Sequence, residues 1–269
     1  MSQRTPEEVL LRDRARMDAA RNATAVPLRT AETCARVLQV AREVATYGNV
    51  NAVSDAGVAA WMHGVYKERI PDELIPRFKA AGLSYVATSV VFDDYADIWE
   101  GKRESTQLER ETVAPEVLAS FAKIPRDEQS PEFQMFFALL PGTREARCDN
   151  IRRLNAAGVR ILAGADAQLG VFPGPALHRE IATLMRCGLS PRQALEAATS
   201  AAASFIANTS DPDFGLARIG KRADLILVGG NPLIEPRAID DIRMVMKDGV
   251  VLERHPLPGS RPTATPAGS

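Results

Sequence analysis

A helix, a glycine and a short apolar run follow one another three times in this chain, and that rhythm constrains the fold more than any other feature. Residues 49–56 read as helical, Gly57 ends them, and residues 58–62 are an apolar run. Residues 70–81 read as a helix closed by Gly82, and residues 83–91 are β-rich. Residues 143–157 read as a helix closed by Gly158, and residues 159–163 form an apolar strand. Glycine suits the left-handed residue that closes a helix. Short strands without polar alternation suit a parallel sheet covered on both faces. The pattern therefore predicts βα units, arranged either as a barrel or as an open doubly wound sheet.

The rest of the chain organises around this repeat. Residues 1–48 are expected to be a helical N-terminal segment, with helices at 6–21 and 31–46. The first has Thr5 as N-cap and Pro6 at the first helical position, and residues 23–26 between them read as a short strand. Residues 93–142 break the rhythm and read as a long insertion, rich in charge, Pro and Phe, of the kind that carries function or a lid. Helices are expected at 175–187 and 190–208. From 209 to 255 the pattern turns to β, with a strand at 223–228 and a hairpin over 243–252 turned at Asp248-Gly249. Residues 256–269 are rich in Pro, Ser, Thr and Gly and read as a disordered tail.

Composition removes several function classes. The chain has 269 residues and a formal net charge of -1, with no basic run, which argues against a nucleic-acid partner. No run of about 18 apolar residues exists to span a membrane. The charged N-terminus has no apolar signal region, so a cytoplasmic location is expected for the chain as written. An N-terminus beyond it could carry an export signal. The three cysteines, Cys34, Cys148 and Cys187, are far apart and odd in number, and read as reduced thiols rather than as a metal site or a disulfide framework. P-loop, GxGxxG, GxSxG and HExxH patterns are all missing, so nucleotide, serine-hydrolase and zincin chemistries have no support.

Candidate chemistry rests on few residues. His63 follows the 58–62 run, at the C-terminal end of an expected strand, the face on which such barrels react. A neutral imidazole there can ligate a metal or move protons; it can equally be a packing or loop residue. Asp166 follows the 159–163 strand and is flanked by small residues. Its carboxylate can approach a metal and act as general base, or it can cap a turn. His178, near the start of a helix, is a candidate substrate contact or a surface residue, and His255 in the tail has no expected role. Asp93 and Asp94 read as a solvated loop start. Trp99, Phe133, Phe136 and Phe137 either line a pocket or, the favoured alternative, pack the insertion.

These segments together resemble the amidohydrolase superfamily. Residues 157–167 (AGVRILAGADA) resemble its last barrel strand and Gly-Thr-Asp-Ala motif, with Ala165 where the threonine stands. Residues 172–180 and 187–199 are similar to the helices that follow. Residues 215–233 look like the return into a small β domain, and 245–252 like its closing hairpin. Residues 55–64 resemble the sixth strand and 81–88 the seventh. The resemblance covers about residues 49–252 and is nearest to the imidazolonepropionase and prolidase-like branch. It implies an α/β fold: a partial TIM-type (β/α)8 barrel made of its C-terminal βα units (49–208, with the 93–142 insertion), followed by a small β domain at 209–255. It also implies a divalent metal, zinc by preference, with His63 as the sixth-strand ligand and Asp166 as the eighth-strand ligand and proton shuttle. The implied activity is hydrolysis of an amide or cyclic amide C–N bond in a small-molecule substrate.

The chain departs from the family in its donor set. No HxH occurs, and no histidine precedes His63. The region expected to hold the fifth strand offers only Arg29, Arg42 or Glu43. Two ligands remain where a catalytic zinc takes three. The alternative expectation is a truncated, non-catalytic remnant or interaction protein; a third is a metal-free binding module that uses 93–142 as a lid. An incomplete barrel exposes sheet edges, so a homo-oligomer is expected to cover them.

Overall fold

The computed structural model describes residues 59–121 and 128–253. The helices expected at 6–21, 31–46 and 49–56, the strand at 23–26, Arg29, Cys34, Arg42, Glu43, His255 and the 256–269 tail lie outside the described residues.

The first sheet contains β1 (Ala60–Met62), β2 (Ser84–Val86) and β3 (Arg160–Leu162), all parallel and in the order β1-β2-β3. Their register aligns Ala60 with Ser84 and Arg160, and Met62 with Val86 and Leu162. α1 (Ile75–Ala80) precedes β2 and α6 (Arg144–Ala156) precedes β3. Both helices close in the same way. Gly82 N–H donates to Lys79 O at 3.0 Å and Leu83 N–H to Phe78 O at 3.1 Å. Gly158 N–H donates to Asn155 O at 2.9 Å and Val159 N–H to Leu154 O at 3.0 Å. This paired closure turns the chain straight from helix into strand, and it is the physical content of the repeated glycine. Among the described residues the result is a three-stranded parallel sheet with its helices.

Between these units run α2 (Ser89–Glu100), α3 (Gln107–Thr112), α4 (Pro115–Ser120) and α5 (Pro131–Leu139). After β3 come α7 (Pro175–Arg186), α8 (Pro191–Ala198) and α9 (Ser200–Ile206). A second, antiparallel sheet holds β4 (Leu225–Val228), β5 (Ile242–Lys247) and β6 (Val250–Leu252). β5 and β6 are joined through Asp248 and Gly249, both at positive φ, as a tight hairpin turn requires.

Trp61, Phe78, Tyr85, Ile151, Leu154, Ile161 and Leu184 form a core beside the parallel sheet, with Trp61 and Phe78 stacked at 5.3 Å. Each large side chain buried there contributes about 1.5–3 kcal/mol. A second cluster joins Val90, Phe92 and Tyr95 of α2 to Phe137, Leu140, Val171 and Ala176, with Trp99, Phe133 and Phe136 against it. The phenylalanines expected to pack rather than line a pocket do pack.

Four expectations are corrected. The β-rich run 83–91 is strand only over Ser84–Val86. α2 starts at Ser89, because Val90, Val91, Tyr95, Ala96 and Ile98 recur at helical spacing and are buried. The first residues of the 93–142 segment belong to this helix. Asp93 and Asp94 are not solvated: they are 8% and 0% exposed, and arginines from other segments neutralise them. The helix expected over 190–208 breaks at Thr199 (φ -130, ψ -95) into α8 and α9. Finally, Cys148 of α6 and Cys187, which caps α7, are disulfide-bonded, with Cα atoms 4.5 Å apart. That spacing is within bridging range, and packing of the two helices supplies it across a sequence separation of 39. Among the described residues, no helix is long and apolar enough to cross a membrane.

Candidate active site

Three strands deliver three side chains to one end of the parallel sheet. Each crosses its turn through a left-handed residue that is not glycine: His63 (φ 64) after β1, Thr88 (φ 44) after β2 and Asp166 (φ 46) after β3. Each such residue costs on the order of 1–2 kcal/mol relative to ordinary backbone, and conformations of this kind concentrate at functional sites. Next to His63, Gly64 is required by close approach, since a Cβ there would run into the Tyr85 ring and hydroxyl.

The three side chains meet. His63 Nδ1 lies 2.8 Å from Thr88 Oγ1, and His63 Nε2 lies 3.8 Å from Asp166 Oδ2. Gln168 Nε2 donates to the same Asp166 oxygen at 3.0 Å. The side chains of His63 and Asp166 are 40% and 36% exposed, so the pair opens to solvent. On one flank, Phe92 meets the His63 ring edge-on at 6.0 Å and Tyr66 stacks on Phe92 at 4.3 Å. Burial raises the Tyr66 phenol above its usual range. Tyr95 is almost fully buried, and its hydroxyl has no hydrogen-bond partner among the described residues. Burial first, then the charges of Asp166 and Asp94, push it up to about 12.

Behind the site lies a dense charge network. Asp93 is held by Arg147 and Arg186, and Asp94 by Arg179 and by Arg103 at 3.3 Å. Arg103 also pairs with the fully buried Glu109 at 2.5 Å. Burial pushes Asp94 up to about 6 against the pull of these arginines. Glu180, in the middle of α7, is completely buried. Its Oε2 accepts the Val90 N–H at 2.7 Å, and the Ser89 N–H also bonds to this carboxyl. Burial pushes Glu180 up to about 8.

The structure thus brings together His63 and Asp166, two residues that sequence reasoning singled out. It places His178 elsewhere, with its Nδ1 3.1 Å from Asp240 Oδ1 in the turn before β5. Thr88 and Glu180 were not singled out, although both stand inside segments that carried the family resemblance. Among the described residues, no group of three or more His, Cys, Asp or Glu side chains is arranged to hold a metal.

The fold is that of prolidase- and amidohydrolase-type structures. A Xaa-Pro dipeptidase with methionine bound in its active site superposes with a TM-score of 0.56 at 22% identity, over 77% of this chain and 43% of that one. An amidohydrolase superposes at 0.54 and 24% identity, over 78% of this chain and 43% of its own. A molinate hydrolase superposes at 0.51 and 17% identity, over 82% and 45%. The chain spans less than half the length of these structures. Residues 1–64 match the family model for formiminotransferase-cyclodeaminase, a stretch mostly outside the described residues. No curated protein matches the chain.

Proposed function

We propose that this chain is part of a metal-dependent hydrolase that cleaves an amide or cyclic-amide C–N bond in a small molecule. The observation that carries the proposal is the meeting of His63 and Asp166. They come from strand ends far apart in sequence and meet at one end of the parallel sheet, the end at which a barrel of this kind would react. Structural neighbours named as a dipeptidase, an amidohydrolase and a hydrolase support it.

The donor pair fits a shared divalent ion. Two ligands of one tetrahedral zinc, at bond lengths of about 2.0–2.1 Å, stand roughly 3.4 Å apart. His63 Nε2 and Asp166 Oδ2 are 3.8 Å apart on half-exposed side chains, a few tenths of an ångström from that separation. His63 and Asp166 would hold the ion, which supplies Lewis-acid polarisation of the amide carbonyl and acidifies water.

The chain's own residues then have defined tasks. Thr88 engages His63 Nδ1, which fixes the ring so that Nε2 faces Asp166. Gln168 fixes the Asp166 carboxylate. That carboxylate accepts a proton from the attacking water as its oxygen bonds to the carbonyl carbon. It returns the proton to the nitrogen as the C–N bond breaks. Phe92 and Tyr66 exclude water from one flank and offer an apolar wall to the substrate.

The test is turnover by the full chain, supplied with zinc, on a panel of N-acyl amino acids, dipeptides and cyclic amides. Asp166→Asn should abolish it, and retained hydrolysis by that variant overturns the assignment. A non-catalytic protein is the second reading, favoured by a donor pair one short of the three that a catalytic zinc takes. Hydrolysis by the purified wild-type chain would exclude it.

A further inference from the structure

The start of α2 is capped in an unusual way. A threonine at a helix N-cap ordinarily adopts extended backbone and turns its hydroxyl onto the N–H groups of the first turn. Thr88 occupies the N-cap of α2, but its backbone is left-handed (φ 44, ψ 35) and its side chain makes no cap bond. The hydroxyl is turned the other way, 2.8 Å from His63 Nδ1. The first-turn N–H groups of Ser89 and Val90, which have no partner within the helix, still need an acceptor, because both residues are buried. They find it on another helix: the Glu180 carboxylate of α7 takes both. Its second oxygen, Oε1, is enclosed and has no hydrogen-bond partner among the described residues. A fully buried carboxylate with one oxygen unmatched is costly for a site that needs only packing.

We propose that Glu180 is a positioning residue for His63: by capping α2 from α7, it frees the Thr88 hydroxyl to fix the imidazole. The consequence for catalysis rests on the hydrolase reading, whereas the positioning itself does not. Removing Glu180 leaves two buried N–H groups without that acceptor, and Thr88 holds the N-cap position from which a threonine hydroxyl ordinarily serves the first turn. Thr88 would then turn back to the helix and release His63.

The experiment follows the ring nitrogens of His63 by 15N NMR in the full chain at one fixed, mildly alkaline pH, in the wild type, Glu180→Ala, Glu180→Gln and Thr88→Val. Glu180→Ala is expected to move the His63 signals in the same direction as Thr88→Val. Glu180→Gln keeps an acceptor oxygen of the same shape, and is expected to restore most of the wild-type signal. Signals of His63 unchanged in Glu180→Ala, with only the melting temperature lowered, would show a purely structural cap and overturn the proposal. Thr88→Val guards against a Glu180→Ala chain that does not fold. It should shift His63 while leaving the melting temperature near that of the wild type, because Thr88 is not the cap. The reverse pattern, a lowered melting temperature with His63 unmoved, also overturns the proposal. Zinc affinity separates this from the hydrolase reading. A loss of about tenfold or more is expected in Glu180→Ala, and a wild-type chain that binds no zinc sinks the hydrolase reading while the NMR comparison still decides the role of Glu180.

Discussion

Breaking the Cys148–Cys187 bridge gives a sharp test of how the helices behind the sheet are held. The two cysteines are 39 residues apart, so the bond closes a loop of about 40 residues, and the loop-closure relation gives about 4 kcal/mol of stabilisation at room temperature. Each cysteine also sits beside an arginine, Arg147 or Arg186, that grips Asp93 on α2, so the bridge fastens α6 and α7 where both reach the same carboxylate. Cys187→Ser, measured by urea unfolding of the full chain in oxidising buffer, should lower stability by about that amount. Reductant should lower the wild type equally and the variant not at all. Alkylation of the unfolded, unreduced protein should tag Cys34 alone, and reduction should expose all three thiols. Three reactive thiols before reduction, or identical unfolding midpoints with and without reductant, would refute the bridge. Such bonds persist in oxidising compartments and are rare in the cytosol, so the thiol count bears equally on where the protein works.

Glu180 sets a pH dependence of stability. Its carboxyl lies at about 8 in the folded chain, against the ordinary 4.5. The folded state therefore binds the proton more tightly, and Glu180's contribution weakens as pH rises from about 4.5 to about 8. Glu180→Gln should flatten that decline in denaturation profiles, and an unchanged slope would count against it. Arg103 joins two fully buried carboxylates, Asp94 and Glu109. Arg103→Met takes the buried Glu109 out of its ion pair, leaves Asp94 with Arg179 alone, and should cost about 3–5 kcal/mol in urea unfolding; a loss below about 1 kcal/mol would mean that the network behaves like surface charge.

Much of the fold was legible because local chemistry and tertiary structure agree. Gly82 and Gly158 close their helices as their positions in the repeat require, and Asp248-Gly249 forms the hairpin turn that its composition favours. That His63 and Asp166 would lie near each other was legible for a related reason: each follows an apolar strand, and the two strands run parallel in one sheet. What stayed hidden depends on distant partners. The run through Val90 and Val91 suits strand or helix alike on periodicity, and α2 wins because its buried face meets Phe137, Val171 and Ala176. Asp93 and Asp94 look solvated until Arg147, Arg186, Arg103 and Arg179 arrive from other segments. Glu180 looks like part of a wet helix face, and only the approach of α2 turns it into a buried cap.

We propose that His63 and Asp166 act together on one metal ion. Zinc per chain, measured by plasma mass spectrometry on full-length protein purified without chelator, tests it most directly. The wild type is expected to carry near one equivalent, and the His63→Ala/Asp166→Ala double variant to carry none. A wild type free of zinc, or a double variant that retains it, would contradict the claim.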